Sequence, residues 1–214
     1  MGSQSVIIAV DGPAASGKGT IASRLAARYG LPHLDTGLLY RAVGLVVMRA
    51  GGDPGNPDHA LSGCHFEDDL LADPALRSEV AGRAASLVSA HPGVRAALLA
   101  RQQAFATQPG GAVLDGRDIG TVIAPRADAK LFVTASPEVR ADRRHRELDR
   151  LGIPTAYEAV LADIHARDER DSGRSAAPLR QADDADLLDT SDMGIDAAVQ
   201  RAIALVEARM GRGR

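Results

Sequence analysis

Val6-Ile7-Ile8-Ala9-Val10-Asp11-Gly12-Pro13-Ala14-Ala15-Ser16-Gly17-Lys18-Gly19-Thr20 is the stretch on which the fold turns. The apolar run Val6 to Val10 suits a buried strand, and Asp11-Gly12 ends it. From Gly17 to Tyr29, Ile21, Ala22 and Leu25 share one helical face, and Gly30 stops the helix. Between strand and helix, glycines let the backbone wrap an anion. Successive N–H groups and the helix N-terminus then face it, and Lys18 adds a point charge. The alternative is a glycine-rich turn with a surface lysine. Against it, Lys18 and Lys130 are the only lysines among 25 basic residues, and Lys18 stands at the phosphate position.

Outward from this P-loop, strand and helix patterns alternate without repeats or low-complexity tracts. Leu34 marks a short second strand, and Thr36 to Ala50 a helix with Leu39, Val43, Val46 and Val47 inward. Gly51 to Pro57 is turn chemistry. Asp73-Pro74 predicts an N-cap and first-turn proline for a helix to about Ala90, and Pro92 opens another carrying Val94, Leu98 and Phe105. Ala112 to Leu114 and Lys130 to Val133 read as strands. Ser136-Pro137-Glu138 starts a helix, and Thr155 with Glu158 forms a capping box for the next. Asp186 to Leu188 is the last strand, and Ile195, Val199, Ile203 and Val206 line the final helix. The expected fold is α/β, a P-loop three-layer αβα arrangement on a five-stranded parallel sheet. Residues 1–50 and 110–214 form its core, and about 51–109 a helical insertion without a convincing strand.

Composition bounds the function. At 214 residues, with 45% hydrophobic and 25% charged, the chain suits one domain with its own core. A charge of -3 and six aromatic residues, none of them tryptophan, disfavour a nucleic-acid binder. Cys64 is the only cysteine, which fits a reducing compartment. No apolar run approaches a membrane span, and the N-terminus lacks a signal peptide's pattern. A cytoplasmic, monomeric protein is expected, without nucleic-acid or membrane partners. The six histidines have no metal-ligand spacing.

Two further motifs extend the phosphate chemistry. Leu34-Asp35-Thr36-Gly37 ends a strand at an N-cap expected at Thr36, and Tyr40-Arg41 lies about a turn inside the helix. Alone this is an ordinary cap with a solvated arginine; beside a P-loop it becomes a second phosphate site. Transfer between two nucleotides needs two such sites with their phosphates in line. Leu114-Asp115-Gly116-Arg117-Asp118-Ile119-Gly120-Thr121-Val122 closes the third strand, where ligands of open α/β sheets bind.

The Gly-Lys-Gly-Thr ending of the P-loop departs from the usual Lys-Ser/Thr and resembles the nucleoside monophosphate kinases. A guanine-nucleotide switch would need an Asn-Lys-x-Asp base reader, but the only asparagine, Asn56, precedes proline. With Tyr40-Arg41 and Asp115-Gly116-Arg117-Asp118, the chain resembles bacterial cytidylate kinase. An adenylate kinase would carry Asp-Gly-x-Pro-Arg here. The resemblance runs from Val6 to the final helix and includes Val94-Arg95-Ala96-Ala97-Leu98-Leu99 and Arg167-Asp168-Glu169-Arg170-Asp171-Ser172-Gly173-Arg174.

It implies phosphorylation of CMP, and of dCMP, by ATP with Mg²⁺. Gly12, Pro13, Ala14, Ala15, Ser16, Gly17, Lys18, Gly19 and Thr20 would bind ATP, with Thr20 as the candidate Mg²⁺ contact. Asp118 matches the base-reading aspartate, whose carboxylate accepts from the cytosine amino group and meets a carbonyl in uracil. Ser86 and Arg95 match residues on the cytosine side. Arg41 and Arg117 match phosphate-binding arginines, and Asp171 the pentose contact. Arg167 and Arg174 match further arginines around the monophosphate, with Thr36 and Tyr40 beside it. Lys18, Arg117, Arg143 and Arg144 would be catalytic, the last two as a lid pair within about 140–174. Arg140, Arg146 and Arg150, among Asp142, Glu147 and Asp149, equally fit a helix surface of ion pairs worth about 0.2–0.5 kcal/mol each. Ser62 to Asp73 is too short for the small set of strands that many members carry there. The rival activities are a UMP or AMP kinase and a P-loop ATPase switch.

Overall fold

β1 (Val6–Asp11), β2 (His33–Asp35), β3 (Gly111–Gly116), β4 (Ala129–Thr134) and β5 (Asp186–Asp189) pair in the order β2-β3-β1-β4-β5, every pair parallel. They belong to a computed structural model that describes residues 5–212; residues 1–4 and 213–214, the outermost parts of the expected core, lie outside the described residues. The sheet is the one expected. Alternate side chains of β1 serve opposite faces, as strand geometry requires. Ile8 and Val10 pack with Ile21 and Leu25 of α1 (Lys18–Tyr29) and Val199 and Val206 of α8 (Ile195–Arg212). Ala9 packs with Leu114 and with Ala106 of α5 (Pro92–Ala106) on the other. Both faces being covered, the central strands read as unbroken apolar runs.

Lys130 is the exception within β4. Its ammonium donates to Pro125 O at 2.7 Å and to both Asp184 carboxylate oxygens at 2.7 and 2.8 Å, which satisfies its three donors.

α2 (Thr36–Arg49), α3 (Pro57–Ser62), α4 (Glu79–Val88) and α5 form a helical subassembly. Leu39, Val43 and Val47 of α2 meet Ala60, Val88, Val94 and Leu98. A Cβ on Gly44 would lie 2.6 Å from Ala84 Cβ, so a bare glycine there lets α2 and α4 approach. α6 (Pro137–Arg150) and α7 (Tyr157–Ser172) pack through Ala141, Leu148, Val160 and Ile164 onto Ala14 of the P-loop.

Four local expectations are corrected. Asp35, not Thr36, caps α2: its side chain accepts from Gly37 N at 2.9 Å, while the Thr36 hydroxyl donates to Asp115 O at 2.8 Å. The helix predicted from Asp73 to Ala90 is a 3₁₀ turn, Pro74–Arg77, followed by α4, which Ser78 caps. Leu76 O, which a continuous helix would give to the Val80 amide, instead accepts from Arg41 at 2.8 Å. Thr155 makes no capping box. α7 begins beyond Ala156, and His145 of α6 donates to Thr155 O at 2.9 Å. Finally, α3 occupies a place where no helix was expected, capped by Asn56 with Pro57 at its first turn.

Candidate active site

The carboxyl ends of β1, β2 and β3 open into a cavity of about 510 Å³, roofed by α4, α6 and α7. The P-loop forms one wall. A Cβ on Gly12 would meet Val133 O at 2.0 Å, so only glycine lets the loop turn against β4. Gly17 begins α1 in the left-handed region, φ 88°. Ala14, Ala15, Lys18 and Gly19 line the cavity. Lys18 donates to Pro13 O at 3.3 Å, and burial, followed by the nearby Arg117 charge, lowers its ammonium to about 8.

Asp11 at the end of β1 accepts from Ile119 N and Gly120 N, both at 2.8 Å. It thereby ties the P-loop strand to the π-type turn Ile119–Ile123 that follows Arg117 and Asp118. Burial pushes its carboxyl up to about 6, against those two bonds.

Arg41, Arg117, Arg144 and Arg167 face one another around the cavity. Burial lowers Arg41 and Arg167 from their usual value, and the neighbouring arginines add to the fall. Mutual repulsion in a low-dielectric pocket marks a seat for a polyanion. Asp171 is held well down: burial works to raise it, but Arg117 and Arg174 outweigh burial. Arg117 Nε donates to Asp171 at 2.6 Å, and Arg174 pairs with its other oxygen. Arg144 pairs with Glu79 of α4 and, at 2.5 Å, with Glu147.

At the far end, Asp118 is 4% exposed and paired with Arg95, whose guanidinium lies 5.5 Å from the Tyr40 ring centre. Ser86 accepts from Arg170 at 3.1 Å, and Ser89 from Arg174 at 3.1 Å. Thus Thr36, Tyr40, Arg41, Ser86, Arg95, Arg117, Asp118, Arg144, Arg167, Asp171 and Arg174 all line one cavity with Lys18.

Six expected residues fall outside that lining: Gly12, Pro13, Ser16 and Gly17 within the loop itself, and Arg143 and Thr20. Arg143 is outside the lining, donating to Thr190 Oγ1 at 3.0 Å and Thr190 O at 2.6 Å, with Ser16 O at 3.5 Å. It joins the segment after β5 to the P-loop, and of the two arginines only Arg144 lines the cavity. Thr20, the expected Mg²⁺ contact, is exposed on α1 and also outside the lining. Asp35 and Asp115 stand directly opposite each other on β2 and β3 instead, beside Lys18.

Other contacts were not anticipated. Arg140 is 3% exposed and ties the P-loop to α7, donating to Ala14 O at 3.2 Å and to both Asp168 oxygens at 2.5 and 2.9 Å. Arg140 stood out as one charge of a cluster, but nothing in the sequence separates it from its solvated neighbours. Glu79 and Ser89 carried no signal.

A P-loop facing a ring of arginines at the strand ends, inside a three-layer sheet, is the apparatus of a P-loop kinase. The fold recurs in an uncharacterised protein from Eubacterium ventriosum (TM-score 0.58, 16% identity, covering 96% of this chain and 99% of that one). It recurs also in a gluconokinase from Sinorhizobium meliloti (TM-score 0.51, 16% identity, covering 99% and 97%). Within that class, the cytidylate kinase family model matches residues 8–208. The cytidylate kinase of Xanthobacter autotrophicus is 65% identical over 205 residues, 95% of this chain and 98% of its own. That of Caulobacter vibrioides is 57% identical over 209 residues, 97% and 98%. The chain belongs to the cytidylate kinase family.

Proposed function

We propose that the chain transfers the γ-phosphoryl group of ATP to the phosphate of CMP, and of dCMP, giving ADP and CDP or dCDP. The observation that carries this is the single cavity joining a P-loop, four arginines that face one another and the buried Asp118–Arg95 pair. The acceptor oxygen is already anionic at pH 7, so no general base is required. Positioning and charge neutralisation supply the rate. In this scheme residues 12–20 wrap the ATP phosphates, and Lys18 neutralises charge on the β- and γ-groups. Arg41, Arg117 and Arg167 hold the CMP phosphate, and Asp171 with Arg174 meets the pentose side. Asp118 accepts from the cytosine amino group, with Arg95 and Ser86 beside it. Residues 51–109 act as the CMP-binding insertion. Arg144, carried by the lid over 140–174, leaves Glu79 for the transferring group and helps exclude water. Arg143 acts by holding the P-loop and the segment after β5 together.

The residues fit Mg²⁺. Asp35 and Asp115 offer hard carboxylate oxygens beside the P-loop, and the directly opposed pair favours a cation between them. They would hold the ion, directly or through water, and Mg²⁺ bound with ATP supplies further neutralisation of the phosphates.

A coupled assay of ADP release across CMP, dCMP, UMP and AMP tests the reading. CMP and dCMP should turn over, and UMP fall far behind. Asp118→Asn should collapse the CMP-to-UMP ratio of kcat/KM by roughly 10²-fold, because a carboxylate acceptor is replaced by an amide that can also donate to the uracil carbonyl. Preference for UMP or AMP, or ATP hydrolysis indifferent to any nucleotide acceptor, would overturn the assignment.

A further inference from the structure

Asp115 is 2% exposed, and its two carboxylate oxygens point to different places. Oδ1 lies 2.7 Å from Nε2 of His33. Oδ2 lies 3.8 Å from the point where a Cβ on Gly19 would sit, at the first turn of α1 beside Lys18. His33 belongs to the edge strand β2, in register with Val113, and shares a face with Asp35 two residues on. Its ring therefore reaches Asp115 along the diagonal while Asp35 faces Asp115 directly. Nε2 meets a carboxylate, which only accepts, so it carries the hydrogen whether the ring is neutral or charged.

Main chain and side chain of Asp115 are fixed separately. The Thr36 hydroxyl donates to its carbonyl at 2.8 Å, and β3 pairs with β1 and β2 on either side. Those contacts set the backbone without choosing a rotation for the carboxylate. His33 makes that choice. We infer that His33 is a positioning residue: by occupying Oδ1 it turns Oδ2 of Asp115 toward the P-loop, where the β- and γ-phosphates and their Mg²⁺ would bind. The inference rests on the kinase reading above.

The test compares His33→Gln, which keeps an N–H donor, with His33→Leu and His33→Met, which have none. The site is a quarter exposed on an edge strand, and two donor-free variants guard against one failing to fold. ADP affinity is measured by calorimetry with and without Mg²⁺, and kcat and KM by coupled assay. Groups that orient a metal's ligands typically contribute 10–100-fold in metal affinity or activity. The Leu and Met variants should lose at least about 10-fold of the Mg²⁺-dependent gain in ADP affinity and a similar factor in kcat. Metal-free ADP affinity and the KM for CMP should stay at parent values, and His33→Gln should recover most of the loss. A parent-like Mg²⁺ effect in the donor-free variants, or a Gln variant no better than Leu, would overturn the inference. Calorimetry with ADP needs no acceptor, so a chain that failed to phosphorylate CMP would sink the kinase reading and still report on His33.

Discussion

Lys18 answers two opposing demands. In the proposed scheme its charge serves bound phosphates, yet burial and Arg117 lower it from 10.5 to about 8. The unfolded chain keeps the proton up to about pH 10.5, so between about 8 and 10.5 it binds more protons than the folded state. This residue's cost to stability is therefore full below pH 8 and fades as pH rises through that window. Lys18→Ala should lower turnover by about 10²-fold or more while melting no lower than the parent at pH 7. Thermal denaturation beside the coupled assay checks both halves. An opposite charge nearby favours the protonated form. The kcat/KM for ATP should accordingly fall above about pH 8, while kcat, which reports the bound complex, holds to higher pH.

At the scale of elements, the turn after β3 depends on Asp11. Two buried amides, Ile119 N and Gly120 N, have its carboxylate as their partner. Asp11→Ala would orphan both, at about 1–3 kcal/mol each. The expected result is a melting temperature lower by roughly 5 °C or more. CMP affinity should fall further than ATP affinity, because Arg117 and Asp118 directly precede the turn. Equal losses for both nucleotides in titration would show that the turn does not act on the Asp118 end of the cavity. Elements of this kind also mark where the sequence is readable. β1, β3 and β4 are legible because burial on both faces leaves apolar runs, and α8 because one face repeats. α3 hides because its six residues bury only Ala60. The break at Ser78 hides because Arg41, which takes Leu76 O, sits 35 residues from that carbonyl. Most of the named cavity residues lie in legible motifs, Glu79 and Ser89 excepted. Their pairings are not legible, since Arg117 meets Asp171 across 54 residues and Arg170 meets Ser86 across 84, and no local pattern encodes such a distance.

Across the whole molecule, those long-range pairs join parts that otherwise touch sparingly. Arg144 to Glu79, Arg170 to Ser86 and Arg174 to Ser89 bridge α6, α7 and the segment after it to α4 and its end. In the proposed scheme bound phosphates give Arg144 a polyanion to take in place of Glu79, and nucleotides seated between these parts draw them together. CMP together with a non-hydrolysable ATP analogue should slow amide exchange across residues 140–174, and more than either nucleotide alone. Exchange unaltered by the pair would mean that the arginines keep their present partners and that no closure accompanies binding.

The locked ammonium of Lys130 has a practical corollary. With that amine saturated by Asp184 and Pro125 at the end of a buried strand, Lys18 is the one lysine side chain open to acylating reagents. At pH 7.4 an amine titrating near 8 is roughly one-fifth unprotonated and nucleophilic, against about one-thousandth for an ordinary lysine. A dilute lysine-selective acyl ester thus becomes a titrant for the phosphate loop, its incorporation at Lys18 counting unliganded sites one for one and ATP shielding them.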